Sequence, residues 1–349
     1  MEYLLPEEIW IEDTVVGTPL ARRIREQAGG IECKIVPSSE RDTVRDSSMN
    51  SGRRVLFLDR LSGPFIQFCS TDHSCDRMCR SQTVTVYGQN ASDASTPALP
   101  PLTLHANLED LVQQLQNFSS TGCHLHINTG QYSDSLELEP LTGYAAELVR
   151  IFGSLKNVSL ELRTRLDYVD SLIGLEPGNT IVNWFVNPPE LMQHEDRYAA
   201  SLESRIAAAA RVAEAGYKVA FTYDPMVHYS GWQERYNENL DVIFAALKPE
   251  TVARFYLGSL RFPPTQKQSI QRRVPHNGSF DSEFIISSDA KMRYFLPIRL
   301  EMYRFMVDQI RQRFCDASIL LCKEPSEVWE RVLGKASMRD IQEQLRQTG

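Results

Sequence analysis

The chain has 349 residues, 42% of them hydrophobic and 23% charged, with a formal net charge of −8. That is enough apolar residue for the core of one large α/β domain or two smaller ones, and the acidic balance opposes broad attraction to nucleic-acid phosphates. The seven cysteines are odd in number and clustered early, which excludes a secreted disulfide framework. No apolar run approaches the about 20 residues of a membrane helix, and the opening residues, Met1 to Glu8, are acidic rather than leader-like. The expectation is a cytoplasmic, reduced protein with no membrane association.

Residues 1–60 read as a preface. Thr14–Val16 and Ile31–Val36 alternate as short strands, with a helix over Thr18–Gln27 between them. Ser38 to Arg54 is polar and reads as a surface loop, followed by strand-like Val55–Leu58. From residue 65 short apolar runs alternate with amphipathic stretches. The runs are Phe65–Phe68, His124–Ile127, Ser159–Leu162, Ile181–Val186, Val219–Thr222 and Arg254–Leu257. The helical stretches are Leu108–Asn117, Leu141–Phe152, Asp167–Ile173, Leu202–Ala215, Trp232–Leu247 and Arg299–Arg313. Ser201 is placed to cap the fourth helix and Gly216 to stop it. A further strand, Ser318–Leu321, and a helix from Ser326 to Arg346 finish the chain. This alternation predicts parallel β/α units: a partial (β/α)6 TIM-like barrel first, a doubly wound sheet second. The expected boundaries are an N-terminal α/β extension over 1–60, the barrel core over 61–260, and a C-terminal region packed on it over 261–349.

Directly after the first strand come Cys69, Cys75 and Cys79, in a C-x5-C-x3-C spacing. Three thiols on one loop suit an iron–sulfur cluster, or a zinc ion with His73 as fourth ligand; the alternative is a set of inert cysteines. In β/α barrels chemistry sits at the C-terminal ends of strands, where this loop is expected to lie. Gln82 to Pro101 reads as a long loop after the cysteines.

Several later stretches resemble the spore photoproduct lyase family. They are Ala215–Phe221, Asp224-Pro225, Gly231-Trp232, Leu257–Pro264 and Lys291–Phe295, with Thr129-Gly130, Asp134–Leu136 and Leu160–Asp170. The similarity runs over about residues 1–335. The resemblance implies a radical S-adenosylmethionine (SAM) enzyme on a partial barrel. Its cysteine trio would hold a [4Fe–4S] cluster whose fourth iron takes SAM, fed by an external electron donor of the flavodoxin or ferredoxin type. The cofactor carries the hard chemistry, and the protein positions and shields it.

The departures from that pattern matter as much. The family spacing is C-x3-C-x2-C with an aromatic before the last cysteine; here the loop is longer and Met78 takes that place. A second register would use Cys75, Cys79 and Gln82, leaving a damaged site. The family's SAM-contacting lysine becomes Arg165, which still offers two donors to a carboxylate. By the same resemblance Ser133 and Asn187 fall near the cofactor. Asp224, at the end of the fifth strand, is placed for an amine or a ribose, or for an Asx turn. Tyr132, Tyr223, His228 and Tyr229 are candidates to face substrate or relay hydrogen, or simply to pack.

The family's hydrogen-donor cysteine falls near Gln131, where there is none, and Arg80-Ser81-Gln82 stand where its tyrosines would be. With the acidic charge, this argues against DNA and for a small-molecule substrate. A shifted SAM pose would instead transfer the aminocarboxypropyl group. DNA lesion repair and a cluster-free binding protein are the rivals. His124 and His126 alternate along the second strand with Cys123 and admit a second metal site or none. Lys267, Arg272, Arg273 and Arg293 form a basic stretch for phosphate, or an offset to acidic neighbours.

Overall fold

The computed structural model describes residues 5–41, 54–68, 82–84, 102–121, 124–129, 134–192, 199–267, 282–287 and 289–334. The chain divides into two compact units. The first takes its described residues from 5–164 and 168–180, the second from 165–167 and 181–334.

The first unit opens with strand β1 (Glu8–Glu12), helix α1 (Pro19–Gln27), strand β2 (Glu32–Val36) and strand β3 (Val55–Asp59). Thr18 starts α1: its hydroxyl accepts from Ala21 N at 3.2 Å, and Pro19 occupies the first turn. The strand expected over Thr14–Val16 lies earlier, at β1, and Asp13–Val15 is a 3-10 turn. The acidic ends of β1 disguise it. Glu8 and Glu12 are buried, and they are paired with Lys34 and Arg41 rather than solvated.

Strand β4 (Ile66–Phe68) runs antiparallel to β5 (Gln82–Val84). Strand β6 (Leu102–His105) then joins the first sheet, which is all parallel in the order β2-β1-β3-β6. Gln82–Val84 therefore corrects the expected loop. Its Thr-Val content is the β-branched signal for a strand, and it pairs parallel with β7 (Leu125–Asn128). The cysteine segment joins an antiparallel pair instead of leaving the first strand of a parallel series.

Helix α2 (Leu108–Ser119) precedes β7, and β8 (Val158–Thr164) lies parallel to β7. The expected helix over Leu141–Phe152 is two, α3 (Glu139–Thr142) and α4 (Tyr144–Gly153). They break at Gly143, whose φ of +57° is a left-handed turn that glycine adopts without strain. Asp167–Ile173 is a series of turns rather than a helix. The carbonyls that would start its ladder are taken: Arg165 O accepts from Ala200 N, and Leu166 O from Trp184 Nε1.

The second unit carries β9 (Thr180–Phe185), α5 (Pro189–Met192), α6 (Leu202–Glu214), β10 (Lys218–Met226), α7 (Trp232–Ala246) and β11 (Val252–Ser259). Ser201 caps α6 as expected, accepting from Ser204 N at 3.2 Å. Three short strands, β12 (Arg261–Phe262), β13 (Phe284–Ile286) and β14 (Met292–Tyr294), form an antiparallel sheet. Helix α8 (Leu296–Arg313), strand β15 (Ile319–Leu321) and helix α9 (Ser326–Leu333) follow; the expected extension of α9 to Arg346 lies outside the described residues. Within this unit β9, β10, β11 and β15 are neighbours in that order, all parallel. Parallel strands followed by covering helices make this chain a partial (β/α)6 barrel with an N-terminal α/β extension, as the strand rhythm predicts.

Candidate active site

The two faces of β10 and β11 are told apart by their partners. Tyr223 donates its hydroxyl to Asn239 Oδ1 on α7 at 2.6 Å, and Phe255 packs on Phe244 of the same helix. Odd-numbered positions thus face the helix layer. Thr222, Asp224, Arg254 and Gly258 face the other way, since side chains alternate along a strand. Thr222 donates to Asn183 Oδ1 of β9 at 2.9 Å, so the row continues onto the neighbouring strand. An ordinary barrel fills its inward positions with branched apolar residues. On the same faces of the second unit Asn183, Thr222, Asp224 and Arg254 stand beside Ile181, Ala220 and Tyr256, and all but Asp224 are fully or nearly buried.

Asp224 lies near the C-terminal end of this row and forms an ion pair with Arg261. Nη1 donates to Oδ1 at 2.8 Å and Nη2 to Oδ2 at 3.0 Å, with side chains only 12% and 10% exposed. Burial alone would lower the Arg261 pKa; the charge of Asp224 and its hydrogen bond outweigh that and raise it further. Gly258 lies directly against the carboxylate. A Cβ there would sit 2.6 Å from Asp224 Cγ, closer than real atoms approach.

Asn187 is a bracket between strand ends. Its Nδ2 donates to Pro225 O at 3.2 Å, its Oδ1 accepts from Tyr236 at 3.2 Å, and its carbonyl accepts from Asn239 Nδ2 at 2.8 Å. Burial pushes the phenols of Tyr223 and Tyr236 well above their ordinary range, so both serve as neutral donors. The ring of Tyr223 thus belongs to the helix-facing side, apart from Thr222 and Asp224. His228 is half-buried between Trp232 and Tyr294, with Nδ1 2.7 Å from Ser282 Oγ. Tyr229 donates to Glu190 at 2.8 Å. The Arg165 guanidinium lies over the Phe185 ring at 5.1 Å, a cation–π contact in which its planar fork can stack.

In the first unit β7 and β8 share a polar row of their own. His126 Nε2 donates to Glu161 Oε2 at 3.1 Å, and its Nδ1 lies 2.8 Å from Ser159 Oγ. Arg163 Nε donates to Glu161 Oε1 at 2.7 Å. Glu161 is fully buried, and a buried carboxylate is tolerable only with such partners. Leu160 and Leu162 alternate with this row and are equally buried, matching the apolar face of α4 that packs on β8. The row ends in a knot: Arg163 N donates to Ser135 Oγ at 2.9 Å and to Thr129 Oγ1 at 3.2 Å. Glu161 is thus the acidic neighbour of His126, which spacing along β7 does not reveal. Among the described residues no group of three His, Cys, Asp or Glu is arranged to hold a metal ion.

The second unit also closes on a buried charged hub. Glu324, just past β15 and fully buried, accepts from Arg299 Nη1 at 2.5 Å and from Tyr303 at 2.8 Å. Tyr303 in turn accepts from Ser259 N at 2.8 Å. Arg293 is only 2% exposed and donates to Asp289 Oδ2 at 2.6 Å, so it belongs to this network and not to a basic surface stretch. Lys267 lies over Phe284 at 6.0 Å.

Cys69, Cys75, Cys79, His73, Cys123, Gln131, Tyr132, Ser133, Arg272 and Arg273 lie outside the described residues. What is described next to the cysteines is β4, which ends at Phe68, one residue before Cys69. Three thiols adjoining a barrel strand are a donor set that fits an iron–sulfur cluster. Glu161, Arg163, Arg261 and Glu324 are the functional-looking residues that spacing misses. Arg261 and Asp224 are 37 positions apart, and no periodicity links them.

A family model described as spore photoproduct lyase matches residues 93–283. Curated spore photoproduct lyases of Geobacillus sp. (strain Y412MC61) and Bacillus subtilis (strain 168) are each 25% identical, over 181 and 182 residues. Each alignment takes in 50% of this chain, which spans about half the length (53%) of these relatives. A solved spore photoproduct lyase complexed with dinucleoside spore photoproduct superposes with a TM-score of 0.75 at 19% identity, over 93% of this chain and 100% of that one. A double mutant with bound AdoMet and dinucleoside spore photoproduct gives 0.73 at 19% identity, over 91% and 99%. Those structures hold a nucleoside-dimer lesion, which corrects the expectation of a small-molecule substrate with DNA set aside. No helix among the described residues is long and apolar enough to cross a membrane.

Proposed function

The chain belongs to the spore photoproduct lyase family, and from that premise we propose that it is a radical SAM lyase acting on a spore-photoproduct type of lesion in DNA. The observation that carries this reading is the set of buried polar side chains on the inward strand faces, positions that an ordinary barrel fills with apolar residues. Strand faces bearing His126, Glu161 and Arg163, or Asn183, Thr222 and Asp224, suit a bound polar ligand better than a sealed core.

Cys69, Cys75 and Cys79 are the residues that would hold a [4Fe–4S] cluster, with Ser133, Arg165 and Asn187 toward SAM. When bound, that pair supplies the carbon radical that abstracts hydrogen from the substrate. The protein's part is to bind, orient and exclude water. Arg165, braced over Phe185, offers a fork of donors to a carboxylate. Glu161 holds the Arg163 guanidinium in one orientation, which lowers the cost of ordering it when an anion arrives. Asn187 ties the ends of β9 and β10 together and fixes the chain around Asp224.

The test is anaerobic reconstitution with iron and sulfide, then addition of SAM, a reductant and dinucleoside spore photoproduct. The expected outcome is about four irons per chain and conversion of the dinucleoside photoproduct to two separate nucleosides. Reductive SAM cleavage with the photoproduct left untouched would overturn the lesion reading.

A further inference from the structure

We infer that the first unit carries a second ligand site, for a phosphate monoester, at the carboxyl edge of its own sheet. The four parallel strands run in the order β2-β1-β3-β6. The chain leaves β1 through α1 toward β2, whereas the next strand of this sheet after β3 is β6, on the other side. The direction of travel thus reverses between β1 and β3. Open α/β sheets bind ligands in the crevice outside the carboxyl ends of the strands at such a reversal. Three of these strands end in a titratable residue: β1 in Glu12, β3 in Asp59 and β6 in His105, none more than 7% exposed. They belong to a different sheet from the polar rows of the barrel.

The acids are taken up within the cluster. Glu12 Oε1 accepts from the Thr14 hydroxyl and Oε2 from Arg41, whose Nε donates at 2.7 Å and whose Nη2 bonds it as well. Asp59 Oδ1 lies 2.5 Å from His105 Nδ1, and Oδ2 has Arg41 Nε at 4.0 Å. Arg41 Nη2 gives its other hydrogen to Arg60 O at 2.7 Å. What remains is a pair of donors and a lone pair. Among the described residues Arg41 Nη1 has no acceptor, so it keeps two N–H donors on a side chain that is 25% exposed. With Asp59 as acceptor, the neutral imidazole has its hydrogen on Nδ1 and its lone pair on Nε2. Among the described residues Nε2 has no partner, although the His105 side chain is only 9% exposed. A nearly buried ring nitrogen left in that state is one that a ligand would complete. Both groups flank the Asp59 carboxylate, so one small anion meets the two. A P–O⁻ of a phosphate monoester accepts from Arg41 Nη1, and its P–OH donates to Nε2. The shared proton makes the same bond from either atom. A phosphodiester or a sulfate has no such proton to give, and a metal ion would be repelled by the Arg41 charge.

Calorimetry of the full chain at about pH 6, where about half of a monoester still carries its P–OH, tests this. The probes are inorganic phosphate, thymidine 5′-monophosphate, thymidine and sulfate. The wild type is expected to bind phosphate and the monophosphate at one site per chain, about tenfold tighter than sulfate, and not to bind thymidine. His105→Asn keeps a donor for Asp59 and removes Nε2. It is expected to weaken phosphate binding by about tenfold and to erase the preference over sulfate, with a melting curve close to that of the wild type. Arg41→Lys keeps a charge beside Glu12 but removes the fork, and is expected to lose about tenfold for both anions. Equal affinity for phosphate and sulfate in the wild type overturns the inference, and no folding defect enters that comparison. Full phosphate affinity in either variant also overturns it, whether or not the variant melts early, since Glu12, Arg41, Asp59 and His105 would then be a structural tie. Binding of magnesium in place of phosphate overturns it as well.

Discussion

Glu139 shows how one buried carboxylate is made tolerable. It heads the α3–α4 turn, accepts from Ala145 N at 2.6 Å and Ala146 N at 3.1 Å, and takes the Ser171 hydroxyl at 2.6 Å. Burial raises its pKa above the ordinary 4.5, and these hydrogen bonds pull it back only in part. A carboxyl whose folded pKa exceeds its unfolded one supports the fold fully only below the unfolded value. That support fades as pH rises through the folded value. The expected result is that Glu139→Gln, which keeps one of the two acceptor oxygens, gains on the wild type as pH climbs above the ordinary carboxyl range of about 4.3. Urea denaturation at each pH measures this. Glu139→Ala strips the acceptors from the head of α4 and is expected to cost about 1–2 kcal/mol near pH 4, and less as the pH rises.

At the scale of elements, the end of β15 is fastened to α8 through Glu324. Removing one partner of a buried charge leaves the others unpaired, so Glu324→Ala is expected to cost about 3–5 kcal/mol. Tyr303→Phe removes one donor to Glu324 and one acceptor for Ser259 N, and is expected to cost about 1–3 kcal/mol. Denaturation midpoints order the two. If Tyr303→Phe proves the costlier, the tyrosine ring and not the carboxylate is the anchor. This hub also marks where sequence reading stops. Strands β8 to β11 and helices α6 and α7 announce themselves by period and caps, because their backbones bond within the element or to the next strand. Arg293 reads as surface charge because nothing local records Asp289 and Glu324 closing over it. Glu161 reads as one acid in LELRTRLD for the same reason: His126 meets it only across the sheet.

For the whole molecule, a net charge of −8 sets the terms on which duplex DNA can be held. Binding must come from a local group of cations working against the overall field. The expected signature is a log–log salt slope of about −2 to −4 for a lesion-bearing duplex, the mark of a few neutralised phosphates. Fluorescence anisotropy across a sodium chloride series measures it, and a flat response would mean that the phosphates are not gripped. The barrel itself is legible in the alternation of runs and helices, and the family in short stretches such as Leu257–Pro264. The preference for a small-molecule substrate fails because it weighs total charge and one missing cysteine, whereas a mouth depends on a few side chains from distant strands.

Those side chains do not vary one at a time. Position 258 can accept a methyl group only after the carboxylate at 224 has gone, because the two would occupy the same space. Losing that carboxylate strands a guanidinium in a nearly dry setting. Among homologues, Asp224, Gly258 and Arg261 should therefore be kept or exchanged as a set.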